Sequence, residues 1–371
     1  MVRSQFKDSE FVPLHAPTFN GNEKKYLNEC IDTTYVSSVG AFVDLFENKL
    51  AELIGVPKSV AVVNGTAALH TALVLLGVDE KQEVLSQALT FVATANAISY
   101  CGAKPVFIDV DRDTMGLSPE ALTRFLNEFG DKRSDGTYNK KTQKKIGACV
   151  VMHTFGFAAR IEELVAICRE WNIPLIEDAA EAIGSSSNGK PLGSFGEIGI
   201  FSFNGNKIIT SGGGGALVSP KEEWMIKAKH LTTTAKVPHA YEFIHDEIGY
   251  NYRMPNLNAA LLCAQMEQLE EFVEKKRRLA AFYKKECDSN GLIFRWEREH
   301  TKANFWLMCI EAKDRKERDE ILQQTNSEQV MTRPIWQLMH KLPAFSDCQH
   351  DEQVNAEFLE DRIINIPSSV I

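Results

Sequence analysis

The sequence predicts an α/β protein with two parts. Residues 1–255 read as a large domain on a mostly parallel, doubly wound sheet, N-terminal segment included, and residues 256–371 as a bridging helix with a smaller α+β domain. Two observations carry this. Over the first two-thirds of the chain, short β-branched runs alternate with helical patterns, as repeated βα units do. After about residue 255 the texture changes to one long amphipathic stretch followed by short alternating segments.

Residues 59–63 (SVAVV) form a strand-like run, and 65–77 a helix that ends in glycine. Residues 83–86 give a short strand, 91–101 a helix of small residues, and 105–110 (PVFIDV) another strand. Ser118, Pro119 and Glu120 mark a helix start: a capping hydroxyl, proline at the first helical position and an early acid. Residues 148–152, 174–176 and 198–203 are further apolar runs suited to buried strands. Between them, residues 130–145 (GDKRSDGTYNKKTQKK) are polar and turn-rich and read as a solvated surface excursion. Residues 257–283 space apolar side chains by three and four, the pattern of a single long helix joining the two parts. Residues 292–296 and 304–310 then alternate with short helical patterns. No repeat of solenoid or propeller period is present.

Composition narrows the function classes. Of 371 residues, 44% are hydrophobic and 25% charged, enough apolar material for a large core. With 41 basic against 50 acidic residues the net charge is −9, which disfavours a nucleic-acid reader. The eight cysteines show neither C-x-x-C nor zinc-ligand spacing, so they read as reduced thiols, and no metal site is expected. The N-terminal MVRSQFKDSEF lacks the apolar stretch of a signal peptide, and no window approaches the roughly 18 apolar residues of a membrane span. A cytoplasmic protein without a membrane partner is the expectation.

Three elements carry chemistry. Asp178 follows residues 173–177 (IPLIE), at a strand's carboxyl end, where ligands bind in open α/β sheets, although a lone acid there can also cap the helix that follows. Asn64-Gly65-Thr66 opens a helix directly after a strand. Its free amides and hydroxyl suit a phosphate, although a plain turn before a helix has the same sequence. Lys207 follows FSFNGN and precedes Gly212–Gly215, a glycine run that permits close packing around a flat group or simply a flexible loop. A lysine so placed can form a Schiff base.

Lysine, acid and helix start make the parts list of a pyridoxal-phosphate enzyme. The chain resembles the DegT/DnrJ/EryC1/StrS aminotransferases, the sugar branch of the fold-type I pyridoxal-phosphate enzymes. The motifs are YVSSVGAFVDLFE (35–47), NGTAALHTAL (64–73), TFVATANAI (90–98), GAKPVFIDVD (102–111), HTFG (153–156), IEDAAEAIGS (176–185), GEIGIFSFNGNK (196–207) and GYNYRMPNLNAA (249–260). The resemblance implies Lys207 as the Schiff-base lysine and proton-moving base, and Asp178 as partner of the cofactor's ring nitrogen. It also implies Thr66 with the backbone of Gly65 and Ala67, together with Ser202, at the phosphate. Phe91 would stack on the ring, and Asn251 would reach the neighbouring subunit's phosphate, making a homodimer with shared sites. Where the family often has glutamine near the phenolic oxygen, this chain has Glu181. A carboxylate there requires a raised pKa or a different orientation.

His153, Arg253 and His340 are candidate substrate contacts, although His153 could instead satisfy a loop carbonyl and Arg253 a structural ion pair, with Trp336 beside them as either mouth or core. His70, on a buried helix, reads as a satisfied core histidine. The implied reaction is transfer of an amino group from glutamate to a nucleotide-linked 4-keto-6-deoxy sugar. The run IITSGGGG after the lysine resembles the branch acting on UDP-2-acetamido-2,6-dideoxy-4-keto hexoses for surface glycans. A sugar dehydratase of this fold would carry histidine in place of Lys207. A regulator would need an added DNA-binding helix-turn-helix, for which neither end offers a spare segment.

Overall fold

The computed structural model describes residues 1–6 and 10–371; residues 7–9, within the N-terminal MVRSQFKDSEF stretch, lie outside the described residues. After helices α1 (Glu23–Asp32) and α2 (Ala41–Ile54) the chain enters the central sheet at β1 (Lys58–Val62). It continues through α3 (Gly65–Leu75), β2 (Gln82–Gln87), α4 (Val92–Tyr100), β3 (Lys104–Ile108), α5 (Pro119–Phe129) and β4 (Lys145–Met152). Then follow α6 (Ile161–Glu170), β5 (Leu175–Asp178), β6 (Ile198–Ser202), β7 (Gly215–Ser219) and α7 (Glu222–Thr232). The strands lie in the order β1-β7-β6-β5-β4-β2-β3. All neighbours are parallel except β7, which runs antiparallel to both β1 and β6.

Side chains alternate across this sheet, as a pleat requires. Val60, Val62, Ile176, Ile198, Ile200 and Leu217 join the core under α3, α4 and α7. Ala61, Val151, Leu175, Phe201 and Val218 join the core on the other face. The expected helix starts are present. Ser118 Oγ accepts from the Ala121 N–H with Pro119 at the first position, and Asn64 Oδ1 accepts from the Ala67 N–H.

Two expectations are corrected. The polar stretch after α5 is a hairpin, Gly130–Arg133 with Gly136–Asn139, joined to the sheet where Tyr138 pairs with Lys145. Its Thr137 and Asn139 are buried because distant groups receive them: Thr137 donates to the Trp171 carbonyl, and Asn139 to Glu83. The long helix is broken into α8 (Asn256–Met266) and α9 (Leu269–Ser289). At the break Gln268 donates to Glu23, while Glu267 accepts from Asn22 and Tyr26, so contacts to α1 and its lead-in replace the continuing turn. The N-terminal segment, which lines the strand-end cavity through Leu14, also bonds to the small domain. Val12 bridges Val330, and the Ser368 N–H donates to the Leu14 carbonyl.

The small domain adds β8 (Ile293–Phe294), β9 (Met308–Glu311), α10 (Arg315–Ser327), β10 (Arg333–Pro334), α11 (Val354–Glu360) and β11 (Ile363–Ile366). Its antiparallel sheet runs in the order β8-β9-β11-β10. Among the described residues no helix is long and apolar enough to cross a membrane.

Candidate active site

The carboxyl ends of β4, β5 and β6 open into a cavity of about 720 Å³, with the start of α3 on one wall and the small domain on another. Strand register decides which side chains enter it. Met152 pairs with Asp178 and Asp178 with Ile200, so Met152, Asp178 and Ser202 share one face, and all three line the cavity. Gly65, Thr66, Phe91, Glu181 and Lys207 line it too.

The wall formed by α3 depends on two glycines. A Cβ on Gly65 would sit 2.9 Å from the Ser202 Cβ, and one on Gly215 would sit 2.4 Å from the backbone of Asn64. Their absence lets the strand–helix turn close down beside Ser202. The Ala67 N–H, expected at the phosphate, is taken by Asn64 Oδ1 at 2.8 Å. The Gly65 and Thr66 amides of the first turn, with the Thr66 and Ser202 hydroxyls, are left to meet an anion.

Asp178 is 3% exposed. Thr94 Oγ1 donates to its Oδ2 at 2.8 Å and the Ala180 N–H to its Oδ1 at 3.2 Å. Burial lifts its carboxyl above the usual range, while those donors and the Lys207 charge pull it back. A buried acid with one donor on each oxygen, aimed into a cavity, is suited to a cationic ring nitrogen. Lys207 Nζ lies 3.2 Å from Glu181 Oε1 and 3.8 Å from the centre of the Trp306 ring, whose Nε1–H donates to the Asn206 carbonyl. Phe91, at the entrance to α4, is 50% exposed, and its ring centre stands 6.2 Å from that of Trp336.

Three candidate substrate residues lie elsewhere. His153 follows Val151 on the pleat and shares the face of Glu177, away from the cavity. Its Nε2 meets Glu177 Oε2 at 3.1 Å, and its Nδ1 accepts from the Ala159 N–H. His340 packs against His350 with ring centres 4.5 Å apart and does not line the cavity. Arg253 donates to Asn251 Oδ1 at 3.0 and 3.1 Å, and both residues lie outside the lining of their own chain's cavity. Trp336 does line it, and His70 is a core histidine bonded to the Tyr252 hydroxyl.

Sequence reasoning missed Thr94, Trp306, Arg333 and Asn365, all of them cavity residues. Thr94 was findable: it sits in the first turn of the helix that begins within TFVATANAI, and donates to the acid at a strand end. Trp306, Arg333 and Asn365 come from the small domain and carried no local signal.

A doubly wound sheet with one antiparallel strand, a lysine beyond a strand end, a buried acid and an anion-ready helix start define a fold-type I pyridoxal-phosphate enzyme, and the lining fits that cofactor. The DegT/DnrJ/EryC1/StrS aminotransferase family pattern matches residues 17–370, and the chain belongs to that family. It is a pyridoxal-phosphate-dependent aminotransferase. It is 36% identical over 359 residues to a GDP-perosamine synthase of Escherichia coli O157:H7, covering 97% of this chain and 93% of that one. It is 41% identical over 335 residues to a protein of Bacillus subtilis strain 168 named as the putative pyridoxal phosphate-dependent aminotransferase EpsN, covering 90% and 84%. The aminotransferase TlmJ of Streptoalloteichus hindustanus has a solved structure similar at a TM-score of 0.87 and 25% identity, covering 96% of this chain and 93% of that one.

Proposed function

We propose that this enzyme moves the amino group of glutamate onto C4 of a nucleotide-linked 4-keto-6-deoxy sugar, for surface glycan synthesis. The observation that carries the reading is the meeting of Lys207, Asp178 and the Gly65–Thr66–Ser202 wall around one cavity whose far side, built from Trp306, Arg333 and Trp336, leaves room for a second ligand.

Pyridoxal phosphate, held by these residues, supplies an electron sink for the substrate's reacting carbon. Asp178 would offer its negative charge to the ring nitrogen, Gly65, Thr66 and Ser202 would hold the phosphate, and Phe91 would lie beside the ring. Lys207 would anchor the cofactor, and its Nζ would carry the proton that the reaction moves. Arg333 offers a cation for a diphosphate or carboxylate.

Asn251 is exposed, and the same excursion presents Tyr241, Phe243 and Ile248, each more than 80% exposed. These features support a homodimer in which Asn251 completes the partner's phosphate cup. Of the two nucleotides, the glycine run favours UDP and a 2-acetamido sugar, while the similarity to a GDP-perosamine synthase favours GDP.

A panel of UDP- and GDP-linked 4-keto sugars with glutamate, scored for a new amino sugar by mass, tests the substrate. Borohydride should fix the cofactor on the peptide holding Lys207. Label on Lys190 or Lys236 would remove the centre of this reading.

A further inference from the structure

We propose that His70 is a positioning residue for the neighbouring subunit's cofactor site: by gripping Tyr250 and Tyr252 it turns Asn251 and Arg253 outward, with the Asn251 amide set to donate to that subunit's phosphate. The inference rests on the shared site read above and adds to it the residue that fixes which way the donor points.

The segment is short and its pairing is fixed. Thr233 bridges Asn251, and Val62 bridges Arg253. The Tyr250 N–H donates to the Leu231 carbonyl at 2.7 Å, the Tyr252 N–H to the Thr232 carbonyl at 3.1 Å, and the Val63 N–H to the Tyr252 carbonyl at 2.9 Å. A chain so extended sends alternate side chains to opposite sides. Tyr250 and Tyr252 share one side, their rings stacked 5.1 Å apart and 18° from parallel. There His70 meets both edge-on, with ring centres at 5.0 and 5.9 Å, and its Nδ1 lies 3.1 Å from the Tyr252 hydroxyl. Tyr100 closes on His70 from α4 at 6.0 Å. Asn251 and Arg253 share the other side, where Arg253 Nε and Nη2 donate to Asn251 Oδ1 at 3.1 and 3.0 Å. With its oxygen held, the exposed amide presents its NH2 group, the end that an anion takes.

Register is what the histidine secures. A slip of one residue would bring Asn251 inward and send a tyrosine outward. His70 is 6% exposed, so whatever lies against it must fill the space around its ring; two aromatic rings do, and an amide beside a guanidinium does not. Burial pushes its pKa below the ordinary histidine value, so the grip is that of a neutral ring. The helix that carries it makes the arrangement consequential. Residues four apart share a helix face, so His70 stands one turn behind Thr66, which lines its own chain's cavity. One rigid helix thus offers an anion ligand to its own site at its first turn and steers the ligand meant for the other site at its second.

His70→Phe tests this, since it keeps an aromatic ring in place and loses the bond to Tyr252. Tyr252→Phe removes the same bond from the other end and serves where the first variant does not fold. Titration of the cofactor-free full chain with pyridoxal phosphate, followed by absorbance, should show affinity weakened about tenfold in either variant, the worth of one charge-assisted hydrogen bond. The double variant should be no weaker than either single one. At saturating cofactor, transfer of a labelled amino group from glutamate to 2-oxoglutarate should run near the wild-type rate. The deciding measurement mixes His70→Phe with inactive Lys207→Ala under subunit exchange. In a mixed dimer the only site with a lysine takes its Asn251 from a chain whose His70 is intact, so activity should half-saturate at the wild-type cofactor concentration. Half-saturation at the weakened value would place the lesion in the chain's own site, through Thr66, and overturn the inference. So would wild-type cofactor affinity in both variants. Failure of Lys207→Ala with Asn251→Ala to restore activity would overturn the shared site itself, so the two failures are distinct.

Discussion

Two regions of the chain are built in opposite ways. The strand-end site draws Met152, Asp178 and Ser202 from three paired strands, and the register of those strands sets where each side chain points. The excursion over residues 233–252 belongs to no strand of the central sheet: it is held by the Thr233–Asn251 bridge, the two-residue pairing of Lys236–Val237 with Ile244–His245, and side-chain bonds to α7 and α3, His230 with Asp246, Lys227 with Glu247 and His70 with the Tyr252 hydroxyl. It carries large exposed apolar side chains. The contrast teaches that position in a sheet explains a residue within its own chain, whereas Asn251 has a place in the fold and no task in the cavity its own chain forms. A task in another copy is what the excursion leaves open.

The comparison can be broken at several strengths. Lys207→Ala should cost the most, on the order of 10⁴-fold in turnover with loss of the borohydride-stable label, because anchor and base vanish together. Asp178→Asn should retain cofactor and turn over about 10²-fold more slowly, since the amide keeps the shape but not the charge on the ring nitrogen. Wild-type turnover in that variant would remove Asp178 from the site. Mixing inactive Lys207→Ala with inactive Asn251→Ala under subunit exchange should restore about half the wild-type rate per mixed dimer, because both lesions then fall in one site. If Asn251 served its own chain, no activity would return. The Asn251→Ala rate is measured first, since the mixture is read only against an impaired parent.

Smaller effects sharpen the same contrast on the stability side. Glu177→Gln should lower unfolding free energy by roughly 2–3 kcal/mol, read from the denaturant midpoint, with activity per folded molecule near wild type. That carboxylate gathers the amides of Gly193, Phe195 and Gly196 on the side of the sheet away from the cavity. Tyr241→Ser should change the stability of the isolated chain by less than about 0.5 kcal/mol, since its ring is exposed. A larger loss would mean that the excursion is part of the fold it only borders.

Much of the strand-end site was legible because its signals are local. An apolar run ending in an acid, a turn opening a helix and a lysine before glycines are each visible within a few residues. His153 was misplaced for an identifiable reason. It does lie at a strand end, but its face follows from pairing Val151 with Glu177, and pairing is not written in either strand alone. The helix break at Glu267–Gln268 was hidden because the apolar spacing runs through it, while the groups that open it belong to α1 and its lead-in. The hairpin after α5 was hidden because Thr137 and Asn139 look solvated until Trp171 and Glu83 receive them. The small domain's share of the cavity was invisible for the same reason: Trp306, Arg333 and Asn365 arrive by tertiary contact.

Glu177 and Asp178 are one peptide apart, yet selection would see them through different phenotypes. The pleat sends the first to a loop behind the sheet and the second to the cavity. A lesion at 177 lowers the number of folded molecules, a shortage that cooler growth, higher expression or a chaperone makes good. Under the role proposed for Asp178, a lesion there should leave that number intact and lower what each molecule achieves, which no help with folding would repair. Suppressors of the two lesions should therefore fall in different classes, abundance for one codon and chemistry for its neighbour.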